Sequence, residues 1–238
     1  MIDIYQLRVL REIRRMSGPV LCLGDQRPSR STGFSTSSEL FLSLGYTEVV
    51  DVDYNGLAKI NHDLNIPLPE AFRGRFALVY DGGTCEHVCN IGQAFRSMAE
   101  SCAVGGHVLQ ESPVVPYGQA YYGIDPQVQR DFFGANGFTR VKHLLHYRRS
   151  ARMSVLHAVC RILPRRHLDR LRSFVSGIRG AKDFIFADLD DTRTYPDHVW
   201  DRECYYVHPQ TRSLYLGRKV ISCDHIEWPA MGCYPRNQ

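Results

Sequence analysis

Asp81, Glu86 and His87 stand within seven residues of one another, two carboxylates and an imidazole set around the pair Gly82-Gly83. A histidine side chain ionises near neutrality and can take a proton from an attacking oxygen or nitrogen. His87 is therefore the candidate general base, with a helix cap or a backbone hydrogen bond as its structural alternative. Glu86 beside it suits orienting the turn or meeting a substrate. The run before them, Phe76 to Tyr80, is apolar and too short for a helix, which reads as a buried strand of a parallel sheet. Asp81-Gly82-Gly83-Thr84 then ends it with turn residues. Titratable groups are thereby set at the carboxyl edge of a sheet, where open α/β sheets bind ligands.

Two further strand ends carry matching chemistry. Val20 to Leu23 is closed by Gly24, and Glu48 to Asp53 ends on an acid. A glycine lets backbone approach a ligand closely, and an acid can accept both hydroxyls of a ribose. Asp51 alternates onto the same face, but the terminal Asp53 reaches furthest. The segment Gly24-Asp25-Gln26-Arg27-Pro28-Ser29 holds one glycine and lacks G-x-G-x-x-G, so no glycine-lined cradle for a pyrophosphate exists. A nucleoside without phosphates fits better. Cys85, His87 and Cys89 cluster, yet the second ligand pair of a closed zinc site is missing, and no metal is assigned. Tyr117, Tyr121 and Tyr122, in an aromatic loop over 113–124, suit a substrate wall or lid; packing explains them equally.

The elements that must position these groups follow from periodicity. A helix with one apolar stripe is predicted over 3–15, and a short one over 39–44. Residues 54–62 leave room for at most one helical turn, around 56–60. A helix is predicted over 86–102, a turn at Gly105-Gly106 and a strand over 107–110. Asp125-Pro126 caps a helix to about 133, and 139–147 is another strand. Residues 148–182 hold ten Arg and Lys against one acid, Asp169, on an amphipathic helical pattern. Residues 183–212 read as irregular, and 213–223 as a final strand or hairpin. Strand and helix alternate, which predicts a mainly parallel α/β sheet in a single domain, 1–238. A hydrophobic fraction of 44% can fill its core, and a net charge of +4 selects no partner. Eight scattered cysteines, a first helix charged throughout and no run of membrane-spanning length predict a cytoplasmic protein.

In this order the motifs resemble those of the class I S-adenosylmethionine-dependent methyltransferases, from about Val20 to Phe138. VLCLGDQ stands as the first motif, VVDVD as the second, DLNIPLP after the third strand and FALVYDGGTCEHV as the fourth; AESCAVGGHVL resembles the helix, glycine turn and fifth strand. The D-G-G-T-x-E-H-V string after D-L-N is similar to a bacterial branch acting on small molecules. The resemblance implies a Rossmann-like sheet, mainly parallel with an antiparallel last strand, and helices on both faces. It implies S-adenosylmethionine as cofactor, with Gly24, Asp25 and Gln26 against its methionine part. Asp53 would take the ribose hydroxyls, Asp63 the adenine amino group and Leu64 the adenine face. Asp81 and Gly82 would lie near the amino end and the methyl. The chain departs from the pattern in losing the later glycines of the first motif and most of the helix between Asp53 and Asp63.

The implied activity is methyl transfer to oxygen or nitrogen of a small molecule; the alternative is a catalytically silent binding or scaffold relative. The N/D-P-P-aromatic motif of many nucleic-acid methyltransferases is absent, since Gly82-Gly83 follows Asp81, which speaks against a nucleic-acid partner. The basic helical and irregular insertion at 148–212 is a solvated face, a lid attracting an anionic acceptor, or a helix at a membrane surface. Of the two functional meanings the lid is favoured.

Overall fold

The computed structural model describes residues 1–13, 16–54, 58–114, 120–149, 183–188, 211–223 and 225–229. Its centre is a run of apolar strands whose side chains alternate between two cores. Pro19–Leu23 (β1) sends Val20 and Cys22 to one face and Leu21 and Leu23 to the other, all buried. Phe76–Asp81 (β4) is buried along its whole length. Such two-sided burial requires a layer on each face, which explains why these strands carry no polar alternation.

The first core layer comes from Ile4–Glu12 (α1) and Ser37–Ser43 (α2). Leu7, Leu10, Leu40 and Phe41 pack there against Val20, Leu78 and Tyr80. Asp3 caps α1 by accepting from Tyr5 N and Gln6 N at 2.8 and 3.0 Å, and Gln6 Oε1 in turn accepts from Asp3 N. A capped start of this kind contributes about 1 kcal/mol. The opposite layer is Ile91–Ser101 (α3) and Pro126–Ala135 (α4), whose Phe95, Met98, Phe132 and Phe133 cover Leu21, Val79 and Val108.

Glu48–Asp53 (β2), Ile60–Asn61 (β3), Cys102–Pro113 (β5), Phe138–Arg149 (β6), Asp183–Asp188 (β7) and Arg212–Lys219 (β8) complete one eight-stranded sheet, in the order β3-β2-β1-β4-β5-β8-β6-β7. The first five strands in that order are parallel; β8 runs antiparallel to both β5 and β6, and β7 antiparallel to β6. The expected antiparallel last strand, and helices on both faces, are thus observed.

Four local expectations change. The helix predicted over 86–102 begins only at Ile91, because Cys85–His87 closes a 3-10 turn and Val88 is extended before Asn90 caps the helix. The strand predicted over 107–110 runs from Cys102 to Pro113: Gly105, at φ +88°, absorbs a register irregularity within the strand instead of making a turn. Ile60, assigned to a helical turn, pairs with Val52 in β3. Residues 183–188, read as irregular, form β7. Residues 115–119, including Tyr117, and most of the 148–212 insertion lie outside the described residues; of the amphipathic helix predicted at 148–182, Arg148 and Arg149 instead end β6, and the rest lies outside them. No described helix is long and apolar enough to cross a membrane.

Candidate active site

The parallel strands bring Gly24, Asp53 and Asp81 to one edge, since Leu23 pairs with both Val52 and Asp81. On the β2 side the acids stay half-exposed. Asp53 accepts from Tyr54 N at 2.7 Å through one oxygen and from Asp25 N at 3.1 Å through the other, so it braces the loop after β1. Asp25 itself pairs with the exposed Arg27 at 2.8 Å. Asp63 accepts from Asn65 N and Asn65 Nδ2 at 2.9 and 2.7 Å, and these bonds hold its carboxyl below the usual range. Leu64 between them is buried. Asn65 also bonds Asn90, the cap of α3, and so ties this loop to the next helix.

Between β1 and β4 the edge is filled by the chain's own side chains. Thr84 Oγ1 donates to Leu23 O at 2.9 Å, and Gln26 Nε2 donates to the same carbonyl at 2.7 Å and to Thr84 Oγ1 at 2.9 Å. Gly24 has φ +80°, and a Cβ there would stand 2.3 Å from Thr84 Oγ1. Its glycine is thus required twice, by backbone conformation and by Thr84. Gly82 lies against the same plug: a Cβ on it would stand 2.8 Å from Gln26 Oε1.

Beyond β4 the acids are buried. Asp81 accepts from Gly83 N, Thr84 N and Cys85 N at 3.2, 2.8 and 3.4 Å through one oxygen, and from Gln110 Nε2 at 3.2 Å through the other. Its carboxylate organises its own turn, and burial still pushes it above the usual carboxylate range. Glu86, on the 3-10 turn, is 2% exposed. It accepts from Ser112 Oγ at 3.0 Å, and its carbonyl accepts from Tyr121 N and Tyr122 N. Burial, and next the charge of Asp81, push Glu86 up to about 7, against the Ser112 bond and Arg212. Arg212 on β8 pairs at 3.2 Å with Glu111, which also accepts from Gln6 Nε2 of α1. His87 is exposed and donates its backbone N–H to Thr84 O. Tyr121 is exposed, while the Tyr122 hydroxyl donates to Cys89 O at 2.7 Å. Cys85 is buried with its thiol toward Met98 Sδ, whereas His87 and Cys89 are exposed, so these three do not converge.

Sequence reasoning missed Gln110, Glu111, Ser112, Gln129, His143, Arg212 and Ser213. Gln110 bonds Ser112 and Gln129; Gln129 meets Ser213 and His143, whose ring burial holds neutral by pushing it down to about 3. The one local signal was the string Gln110-Glu111-Ser112 where an apolar strand should continue.

No protein-family model and no curated protein matches the chain. Solved structures do. A SAM dependent methyltransferase from Archaeoglobus fulgidus matches with a TM-score of 0.50 at 13% identity, over 90% of this chain and 92% of its own. A Bacillus halodurans C-125 protein assigned as a methyltransferase matches with a TM-score of 0.50 at 11% identity, over 90% of this chain and 97% of its own. The fold is that of the class I methyltransferases. On one side half-exposed Asp53 and Asp63 present carboxylate acceptors, with Leu64 buried next to Asp63. Asp81, Glu86 and Glu111 stand on the other side, with Arg212 paired to Glu111.

Proposed function

We propose that this chain transfers a methyl group from S-adenosylmethionine to oxygen or nitrogen of a small-molecule acceptor at the carboxyl edge of its sheet. The observation that carries the proposal is the division of that edge into an adenosine-like half with open acids and an acidic, buried half beyond β4. When bound, the cofactor supplies a methyl already activated by a positively charged sulfur. The chain's own work is then alignment and proton handling. Asp53 would hold the ribose, Asp63 the adenine amino group and Leu64 the adenine face. Gly24, Asp25 and Gln26, with Asp81 and Gly82, would form the wall at the methionine end. Two groups of one turn can take the acceptor's proton, His87 in solvent and Glu86 under the loop that carries Tyr121 and Tyr122. Those tyrosines, with Tyr117, would border the acceptor, and the basic insertion at 148–212 would draw in an anionic acceptor as a lid.

A second reading, a silent binding relative, draws on Thr84, whose hydroxyl occupies the space a ligand would use beside Gly24. Isothermal titration with S-adenosylmethionine and S-adenosylhomocysteine, followed by a methyl-transfer assay over a panel of small alcohols, phenols and amines, separates the two. Saturable binding of both ligands with turnover supports transfer. Binding without turnover on any acceptor class supports the silent relative.

A further inference from the structure

We infer that Glu86, rather than His87, is the group that takes the acceptor's proton, and that it responds to the positive charge of the methyl donor. The inference rests on the methyl-transfer reading. The balance of the step is simple: the acceptor's oxygen or nitrogen forms its bond to the methyl carbon, and the carbon–sulfur bond breaks with its electron pair left on sulfur. The acceptor's proton passes to the Glu86 carboxylate, so one positive charge and one negative charge disappear together.

The placement of the carboxyl groups singles out Glu86. Asp81 accepts four hydrogen bonds, from three backbone N–H groups and Gln110, and is committed to the turn. Glu111 lies on the α1 face of the sheet, bonded to Gln6 and Arg212. Glu86 has one side-chain donor among the described residues, the Ser112 hydroxyl. Its Oε1 lies 3.0 Å, and Arg212 Nη1 3.4 Å, from the point where a Cβ on Gly83 would stand. A side chain at residue 83 would press against both groups, so glycine lets this turn sit directly against the carboxyl and the guanidinium.

The charged and titratable groups around Glu86 act in opposite directions. Asp81 on β4 raises its proton affinity, as does burial, and Arg212 on β8 lowers it; Cys85 on the same turn is held protonated by its own burial. The result is a carboxyl raised to about 7, and a general base works best when it titrates near the operating pH. His87, on the same turn, is exposed. A cation within about 4–6 Å favours the ionised carboxylate, so a ligand that carries the sulfonium should expel a proton from Glu86, and one with a neutral thioether should not.

The test is isothermal titration of the intact chain at pH 7 in buffers of different ionisation enthalpy, with S-adenosylmethionine and S-adenosylhomocysteine as paired probes. The expected result is that the sulfonium ligand releases up to about half a proton more than the thioether. In Glu86→Gln both ligands should still bind and the difference should vanish; in His87→Ala it should persist. Equal proton release by the two ligands in the wild type overturns the inference alone, as does a difference that survives Glu86→Gln. Binding of neither ligand overturns the methyl-transfer reading and this inference with it.

Discussion

Asp53 and Asp63, beside β2 and β3, remain half-exposed with hydrogen bonds from neighbouring backbone and Asn65, whereas Asp81 and Glu86, beside β4 and β5, are almost wholly enclosed. Four acids along one sheet edge therefore acquire different chemistry. The bonds from Asn65 hold Asp63 below the usual range, while burial and next the charge of Asp81 carry Glu86 up to about 7. Sequence position at a strand end decides where an acid stands. Cover and donors decide what it can do: on one half of the edge the acids stay open acceptors, and on the other burial tightens their hold on a proton.

The strongest way to break the contrast is to remove Asp81. Asp81→Ala strips the acceptor from three backbone N–H groups and from Gln110, and should lower the free energy of urea unfolding by about 3 kcal/mol. Asp81→Asn, which keeps an acceptor for the turn, should recover much of that loss. An Asp81→Ala variant as stable as the wild type would show that the turn does not depend on this carboxylate.

Glu86 gives the next largest effect, and its sign is opposite to that of an ordinary paired acid. The folded state binds the Glu86 proton more tightly than the unfolded chain does. Its stabilising contribution is therefore complete at low pH and is lost as pH rises through about 7. Relative to Glu86→Gln, the wild type should lose about 2–3 kcal/mol of unfolding free energy between pH 5 and pH 8. Comparing the two proteins cancels the opposing contribution of the neutral His143. Parallel pH profiles for the two would place Glu86 in an ordinary environment.

On the open half, Asp53→Ala should weaken S-adenosylhomocysteine binding by about 1.5–3 kcal/mol while the melting temperature stays close to that of the wild type. An unchanged affinity would remove Asp53 from the ribose. The smallest change expected is at Asn65. Asn65→Ala deletes the side-chain bond to Asp63, and carboxyl-detected NMR should show Asp63 titrating higher than in the wild type. A curve that does not move would mean that the Asn65 backbone bond alone sets Asp63.

Much of this edge was legible in the sequence because it rests on local pattern. Apolar runs ending at Gly24, Asp53 and Asp81 identify three strands and, through parallel pairing, their common edge. What was illegible depends on partners far along the chain. Glu86-His87-Val88 reads as the start of a helix until the Asp81 carboxylate gathers the N–H groups of residues 83–85 and closes a tighter turn. Gln110 and Ser112 look like the end of a strand, yet β5 continues because Asp81, Glu86 and Gln129 satisfy them inside the protein. Arg212 lies just ahead of the strand predicted over 213–223, yet it opens β8 and reaches the site because β8 inserts between β5 and β6. Gly24 was expected to make room for a ligand; that Thr84 packs against it is a contact across 60 residues that no spacing rule displays.

The central claim is that the carboxyl edge, with its open and closed halves, holds the methyl donor. A crystal structure of the chain grown with saturating S-adenosylhomocysteine tests it most directly. The account predicts the ribose hydroxyls within about 3 Å of the Asp53 carboxylate and the adenine beside Asp63 and Leu64, with the sulfur end toward Gly82 and Glu86. Ligand density at any other place, such as the cavity around Lys219 and Cys223 at the opposite edge of the sheet, or none at the strand ends, would contradict it.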